Sequence, residues 1–446
     1  MCCDSINGVF TVDGEDMLVQ FNFKNFKSFR DETSLDLSAT KITEHEDHVI
    51  NIANDKLLKV AAIYGANASG KSNVYAAFEF MTDYVLKSFN FGEEDREQRK
   101  IGVEKPEVAP FLLDNVSCDE ETTFEVFYVD HQEGTGKTYQ YGFSLKGGEV
   151  EEEWLFSKAK TSKTYRTIFY RKKGQELELP GITRTQRSNI ELALNAEVLI
   201  VSLGAKLRID PLKKIRDWFL NNETINFGNP IENLFVSSIL PREFVNSKAV
   251  QKNVVDYFST FDTSIQDFEV EEVVVKDGEN ENKVFRIHAL HKKEGSEEMS
   301  SIPIERESSG TQKMFALYPF LKEVLDHGSI LFVDELNARL HPLLVRNIIL
   351  TFLSPEINTR NTQIIFTAYD IAQLSNDLLR RDEIWMVDKN SEGVSELYSL
   401  AEFRDEEGNK VRRYEDLAKK YLTGNYGAIP ALKPMKMLTS GGKDGK

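Results

Sequence analysis

Two glycines and a lysine separate an apolar run from a helix-like run in "AAIYGANASGKSNVYAAF", residues 61–78. Gly65, Ala66, Asn67, Ala68, Ser69, Gly70, Lys71 and Ser72 fill the pattern G-x-x-x-x-G-K-[ST] with nothing missing, and Asn73 continues it. Glycines at these places let backbone N–H groups converge on phosphate oxygens with no Cβ in the way. Lys71 would neutralise charge on the β- and γ-phosphates, and the Ser72 hydroxyl would ligate Mg²⁺. A helix starting here points its positive end at the same phosphates. The cofactors implied are ATP and Mg²⁺. A second G-K-T, in "HQEGTGKT" (residues 131–138), serves as a control. His131 stands where the first glycine must be, and strand-like segments rather than a helix follow, so that stretch reads as a hairpin turn.

A phosphate loop needs an acidic partner at the end of a distant strand. "SILFVDEL" (residues 329–336) supplies Asp334, suited to the Mg²⁺ shell, and Glu335, suited to act as general base on an attacking water. Just upstream, "ERESSGTQKMFALYPFL" places Ser308, Ser309 and Gly310 before a helix expected from Thr311 to about Leu325. That is a second helix start open to phosphate. Since one nucleotide already has its loop, the second start points to a composite site in which one subunit closes over ATP held by another. An ordinary Ser/Gly helix cap explains the same residues.

The elements that must position these groups are legible in outline. "MLVQFNFKNFKSFRDETSLDL" (residues 17–37) alternates as a half-buried strand or hairpin does, and "KLLKVAAIYG" rises into a mostly apolar strand before the loop. Ser72 to Lys87 reads as a helix with Val74, Ala77, Phe78, Met81 and Val85 on one side. "TTFEVFYVD" and "TYQYGFSL" form a hairpin signal, with further strands in "EEEWLFSKAK" and "YRTIFYRKKG". From Arg187 to about Ser264 the period turns helical, and from Phe268 to Ile304 short strands return. Glu307 to Lys389 alternates helix and strand, as parallel α/β architecture does. The expected division is an N-terminal lobe over 1–186, an inserted helical subdomain over 187–265, a C-terminal lobe over 266–440 and a disordered tail over 441–446.

Bulk properties narrow the class. No apolar run approaches the ~20 residues needed to span a bilayer. Met1 to Asp16 lacks the charged and apolar regions of a secretory signal. Cys2, Cys3 and Cys118 have no metal-like spacing, and read as reduced thiols. A cytoplasmic protein without membrane attachment is expected. The net charge of −17 works against non-specific adhesion to nucleic acid, although Lys206 to Lys214 and Arg166 to Lys173 could line a local basic groove.

These motifs together resemble the ABC-type ATPases of the SMC/Rad-fifty/RecF group, in which an S-x-G signature precedes the acidic strand by about this interval. Here the signature reads Glu307-Ser308-Ser309-Gly310-Thr311-Gln312. "FNFKNFKSF" is similar to that group's opening strand, and "LNARLHP" (residues 336–342) to its D-loop, with Asn337 for the usual Asp. The resemblance implies an α/β fold: an ABC-type P-loop ATPase head with an antiparallel β lobe and an inserted helical subdomain. One departure matters. "QIIFTAYD" has Tyr369 where the group carries a switch histidine; tyrosine donates one hydrogen bond but carries no positive charge. The implication is slow hydrolysis, or a site used chiefly as an ATP-dependent clamp. The group's coupling glutamine has no clear counterpart: Gln140 is a weak candidate, and a surface strand position is the better account of it.

Toward the C-terminus, "LRRDEIWMVDKNSEGVSELYSLAEF" and "YLTGNYGAIP" resemble the RloA/AbiL-type ATPases, related to the OLD family and found in abortive-infection operons. That resemblance implies an ATP-dependent homodimer or higher homo-oligomer that senses infection and controls a separately encoded, nuclease-like effector. The stretch beyond Tyr369 is too short for an attached nuclease domain, and no long heptad region splits the ATPase halves. A RecF-type clamp on DNA is the competing reading, and it requires a basic groove. A transporter ATPase is a third.

Overall fold

The computed structural model describes residues 16–52, 55–91, 105–130, 136–232, 239–277 and 280–429. The chain enters through β1 (Asp16–Lys24), whose alternation pairs it antiparallel with β2 (Thr33–Asp36), Phe21 facing Leu35. The small hairpin β3 (Val49–Ile52) and β4 (Asp55–Leu58) follows, then β5 (Val60–Gly65) and α1 (Lys71–Lys87). The run "KLLKVAAIYG" is thus two strands. Its first half pairs with β3, while β5 lies in a different sheet, and buried Lys59 marks the break. Next come β6 (Thr122–Asp130), β7 (Lys137–Lys146), β8 (Glu149–Ala159) and β9 (Arg166–Lys172), which extend the first sheet in the order β2-β1-β6-β7-β8-β9. The hairpin expected around "HQEGTGKT" is present, with Asp130 opposite Lys137; residues 131–135 themselves lie outside the described residues.

Helices α2 (Arg184–Ala193), α3 (Ile200–Lys206) and α4 (Asp210–Asn221) begin the stretch expected to be helical. That stretch is not helical throughout. β10 (Glu223–Asn226) interrupts it before α5 (Lys248–Ser259), pairs parallel with β14 and forms an edge of the central sheet. Four residues, "ETIN", carry no readable period, and only tertiary pairing makes them a strand. β11 (Ile265–Asp277) and β12 (Asn280–Lys292) are longer than the short strands expected, a 13-residue pair to which β13 (Met299–Pro303) adds. α6 (Ser309–His327), β14 (Ile330–Asp334), α7 (Pro342–Leu353), β15 (Gln363–Thr367) and β16 (Ile384–Lys389) then alternate as expected, with β17 (Ser395–Ser399) antiparallel to β16.

The central sheet runs β10-β14-β15-β5-β16-β17, with β5, β14, β15 and β16 apolar and parallel. Such strands are covered on both faces. Side chains one apart along β5 enter different cores. Ala61 and Ile63 join a cluster with the antiparallel sheet, α1, α3 and α4, whereas Val60, Ala62 and Tyr64 join one with α5, α6 and α7. Phe78 of α1 binds the first layer together, edge-on to Phe21 of β1 (5.3 Å) and tilted against Phe332 of β14 (5.7 Å). Every C-terminal end of the parallel strands therefore opens on the same edge of the molecule, the edge where α/β folds bind ligands. Residues 441–446 and Cys2 and Cys3 lie outside the described residues; Cys118 is an exposed free thiol. Among the described residues no helix is long and apolar enough to cross a membrane.

Candidate functional site

The loop between β5 and α1 is shaped by its neighbours. Gly65 has φ 157°, and a Cβ on it would stand 2.4 Å from the Val387 carbonyl oxygen of β16. Gly70 has φ 116°, and a Cβ there would stand 2.6 Å from Ser395 Oγ and 2.8 Å from Ser28 Oγ. Both glycines are thus demanded by packing inside the chain as well as by a ligand's approach. Ala68 also takes a left-handed backbone, φ 65°. Ser28, from the "NFKSF" stretch, and Ser395, from β17, buttress the loop: Ser395 Oγ lies 2.5 Å from the Ser69 carbonyl oxygen, and Asn73 Nδ2 donates to Ser28 Oγ at 2.7 Å. The amide of Asn73 is therefore engaged with the buttress.

Gly70 caps α1 without a side-chain hydrogen bond; the Asn73 N–H turns back to the Gly70 carbonyl (2.9 Å), and the N–H groups of Lys71 and Ser72 are available to a ligand. Lys71 is buried, and its ammonium donates to the carbonyls of Gly65 (2.8 Å) and Ala66 (2.9 Å). Burial lowers its pKa, and the negative charges of Asp334 and Glu335 pull it back up. Asn67, Ala68, Gly70, Lys71, Ser72 and Asn73 line a cavity of about 500 Å³ together with Glu335, Tyr369 and Lys389.

Each opposing residue sits at or just beyond the end of a parallel strand. Asp334, the last residue of β14, is buried and accepts a 2.5 Å hydrogen bond from Thr367 Oγ1. The same hydroxyl accepts from the Glu335 N–H at 2.9 Å. Thr367, at the end of β15, thereby fixes the turn that aims Glu335, whose φ of 54° is left-handed. Tyr369, 53% exposed, stands on the cavity wall two residues later.

Ser308, Ser309 and Gly310 are not on that wall. Ser308 caps α6, its Oγ accepting from the Thr311 N–H at 3.1 Å, so the helix-cap reading describes its role within the chain. A Cβ on Gly310 would meet nothing closer than the Arg339 carbonyl oxygen at 3.5 Å, an ordinary contact. Three residues on, buried Lys313 straps this helix to the acidic strand. Its ammonium donates to the carbonyls of Leu336 (2.7 Å), Ala338 (2.8 Å) and Glu335 (3.3 Å), and lies 3.8 Å from the Phe227 ring centre. Burial lowers its pKa to about 7.

Gln140 takes no part in the cavity: on β7 it donates to Glu125 at 2.7 Å, a strand-surface role. Four residues that matter here were not assigned from the sequence. Thr367 and Lys389 lie inside segments singled out for other reasons, "QIIFTAYD" and "DEIWMVDKN", and Ser28 and Ser395 are distant in sequence from the loop they support. A polar residue closing each apolar strand was the available signal for the first two.

The residues fit a magnesium nucleotide: a free helix start, a buried ammonium, a hydroxyl and a buried carboxylate supply the hard oxygen ligands and phosphate donors required. No curated protein matches the chain. Among solved structures, the SMC head bound to the C-terminal winged-helix domain of ScpA is similar at 13% identity and TM-score 0.39, covering 86% of this chain and 97% of that one. The SMC head with an extended coiled coil, bound to the C-terminal domain of ScpA derived from Pyrococcus furiosus, is similar at 14% identity and TM-score 0.38, covering 86% and 96%. The family model described as "AAA domain, putative AbiEii toxin, Type IV TA system" matches residues 60–367, from the first residue of β5 to the last of β15. The match spans more than half of the chain, and the chain belongs to that AAA family.

Proposed function

We propose that the protein is an ABC-type ATPase head that dimerises on ATP and uses that dimer to control a separately encoded, nuclease-like effector in anti-phage defence. The observation that carries the ATPase part is the convergence of Lys71, Ser72, Glu335 and Tyr369 on one cavity at the C-terminal ends of parallel strands. Lys71 would exchange the Gly65 and Ala66 carbonyls for phosphate oxygens. Ser72 and Asp334 would hold Mg²⁺, which supplies charge neutralisation at the β- and γ-oxygens when bound. Glu335, oriented through Thr367, accepts the proton of the attacking water. Tyr369 offers one neutral hydrogen bond toward the γ-phosphate, and Lys389 on the same wall adds a positive charge.

Dimerisation rests on Gly310 at the start of α6, where a Cβ meets no close contact within the chain; it does not line the chain's own cavity and suits ATP held by a second copy. Charge favours an effector-coupled role over a DNA clamp. In the run Lys206 to Lys214, Lys213 pairs with Asp217 and Lys214 with Asp130. In the run Arg166 to Lys173, Lys172 pairs with Glu152, and Lys173 with Glu149 and Glu151. Basic charge already matched by carboxylates in the chain is poorly placed to release counterions from DNA.

Glu335→Gln tests the proposal, because it keeps the shape of the site and removes the base. The variant is expected to bind ATP, lose about 10²- to 10⁴-fold in kcat and accumulate as a dimer by light scattering. A Glu335→Gln chain that stays monomeric in saturating ATP would overturn the two-copy site. Hydrolysis stimulated by DNA with steep salt dependence, and no response of the effector encoded alongside, would favour the clamp instead.

A further inference from the structure

At the opposite end of the central sheet, where β5 and β16 begin, lies a second cluster of titratable groups. Glu383 immediately precedes β16, and its carbonyl accepts from the Ala62 N–H of β5 at 2.8 Å. Against it packs the turn "HEDH", residues 45–48. One ring nitrogen each of His45 and His48 and one carboxylate oxygen of Asp47 lie within 4.8 Å of one another. The two rings are stacked, centroids 4.7 Å apart and 17° between planes, and each has one nitrogen engaged elsewhere. His45 Nε2 is 2.7 Å from the Asn376 carbonyl oxygen, which can only accept, so that nitrogen carries the proton and Nδ1 is left with its lone pair. His48 Nδ1 is 3.1 Å from both carboxylate oxygens of buried Glu383, which leaves Nε2. Carbonyl or carboxylate behind each imidazole is the arrangement that fixes the tautomer of metal-binding histidines.

Arg380 grips both oxygens of Asp382 (2.9 and 2.8 Å), and the charge of buried Lys59 acts on Asp47 and Glu383. We propose that His45, Asp47 and His48 bind a divalent transition-metal ion of the zinc class, with water completing the shell. Two imidazoles and one carboxylate suit Zn²⁺, whereas Mg²⁺ and Ca²⁺ take oxygen sets. For both imidazoles to meet one ion, half-buried His45 must turn out of its stack on His48 and exposed Asp47 must turn inward, while His48 stays anchored on Glu383. The ion would rigidify the 45–48 turn, which His48 already ties through Glu383 to the segment leading into β16. Because the P-loop lies beyond the other end of β5, its contribution is to stability and not to hydrolysis.

The test uses the full-length chain, stripped with a chelator and titrated with Zn²⁺ against a chromogenic competitor. About one equivalent per chain is expected to bind, with a rise in Tm. His45→Ala and Asp47→Ala, which spare the buried core, should each lose at least about tenfold in zinc affinity while keeping ATP hydrolysis. Asp334→Ala should bind zinc as the wild type does, which separates this cluster from the nucleotide site. Absence of stoichiometric zinc in the wild type, unchanged affinity in Asp47→Ala, or loss of the zinc with Asp334→Ala would each overturn the proposal.

Discussion

The molecule has two glycine-marked helix starts, and they are built differently. At α1, both glycines are hemmed in by the chain itself: Gly65 by Val387, and Gly70 by Ser28 and Ser395. At α6, a Cβ on Gly310 would meet only ordinary contacts, the nearest the Arg339 carbonyl oxygen at 3.5 Å. The first start is finished in the folded monomer, with Lys71 buried in place and Glu335 across the cavity. The second has its cap and its strap, Ser308 and Lys313, but faces no wall of its own cavity. A helix start that folding does not explain is what a contact with another molecule would require.

Lys71→Ala probes the finished start and should have the largest effect. It removes the buried ammonium proposed to meet the phosphates, so ATP binding by calorimetry should weaken at least about a hundredfold, with hydrolysis lost in step. Retained binding would mean that the free N–H groups of α1 suffice without the lysine.

A paired substitution sharpens the contrast directly. Gly70→Ala forces a side chain into φ 116° between two serine hydroxyls, and should cost about 1–3 kcal/mol of stability in denaturant melts. Gly310→Ala sits in the first turn of a helix with room for a methyl, and should leave stability unchanged or raise it by up to about 1 kcal/mol. It should nevertheless impair the ATP-dependent dimer and lower kcat by at least about tenfold, a loss of 1.4 kcal/mol or more. If Gly310→Ala dimerises and turns over normally, the α6 start takes no part in a second copy's site.

Legibility followed the same division. The P-loop, the acidic strand and the Ser308-Ser309-Gly310 start were readable because each is a contiguous run whose spacing carries its chemistry. What meets only in space was not. Ser28 and Ser395 are separated by most of the chain yet share one hydrogen bond under the loop (2.8 Å). Thr367 serves Asp334, at the end of another strand, and Glu335 just past it. β10 lacks any period of its own, and "KLLKVAAIYG" looked like one strand because both halves are apolar, although they pair in different sheets. Tertiary pairing decided these elements, not local pattern.

Tyr369 is the next lever. A protonated imidazole on the cavity wall would offer a charge-assisted hydrogen bond, worth about 1.5–3 kcal/mol against 0.5–1.5 for a neutral donor. Tyr369→His should therefore raise kcat by about tenfold with little change in KM, measured in steady state. An unchanged kcat would show that Lys389 or the second subunit already supplies the charge.

A third helix start shows what the chain does when it fills one internally. Glu153, fully buried on β8, accepts from the N–H groups of Ile200 (2.7 Å) and Val201 (3.2 Å) at the beginning of α3, and from the Tyr141 hydroxyl (3.2 Å). Burial raises its pKa to about 7, opposed by Arg171 and by these hydrogen bonds. A carboxyl whose pKa is raised by folding stays protonated in the native state while the unfolded chain ionises. Its contribution to stability is thus complete below about pH 4.5 and is lost as pH rises to about 7. Glu153→Gln removes that titration and keeps an oxygen acceptor for the helix. The stability difference, wild type minus variant, should shrink between pH 4.5 and 7 and level off above it, read from urea melts at each pH. A difference that grows over that interval would mean that the ionised carboxylate is the preferred cap, and that α3 takes from within the chain the anion that α1 takes from ATP.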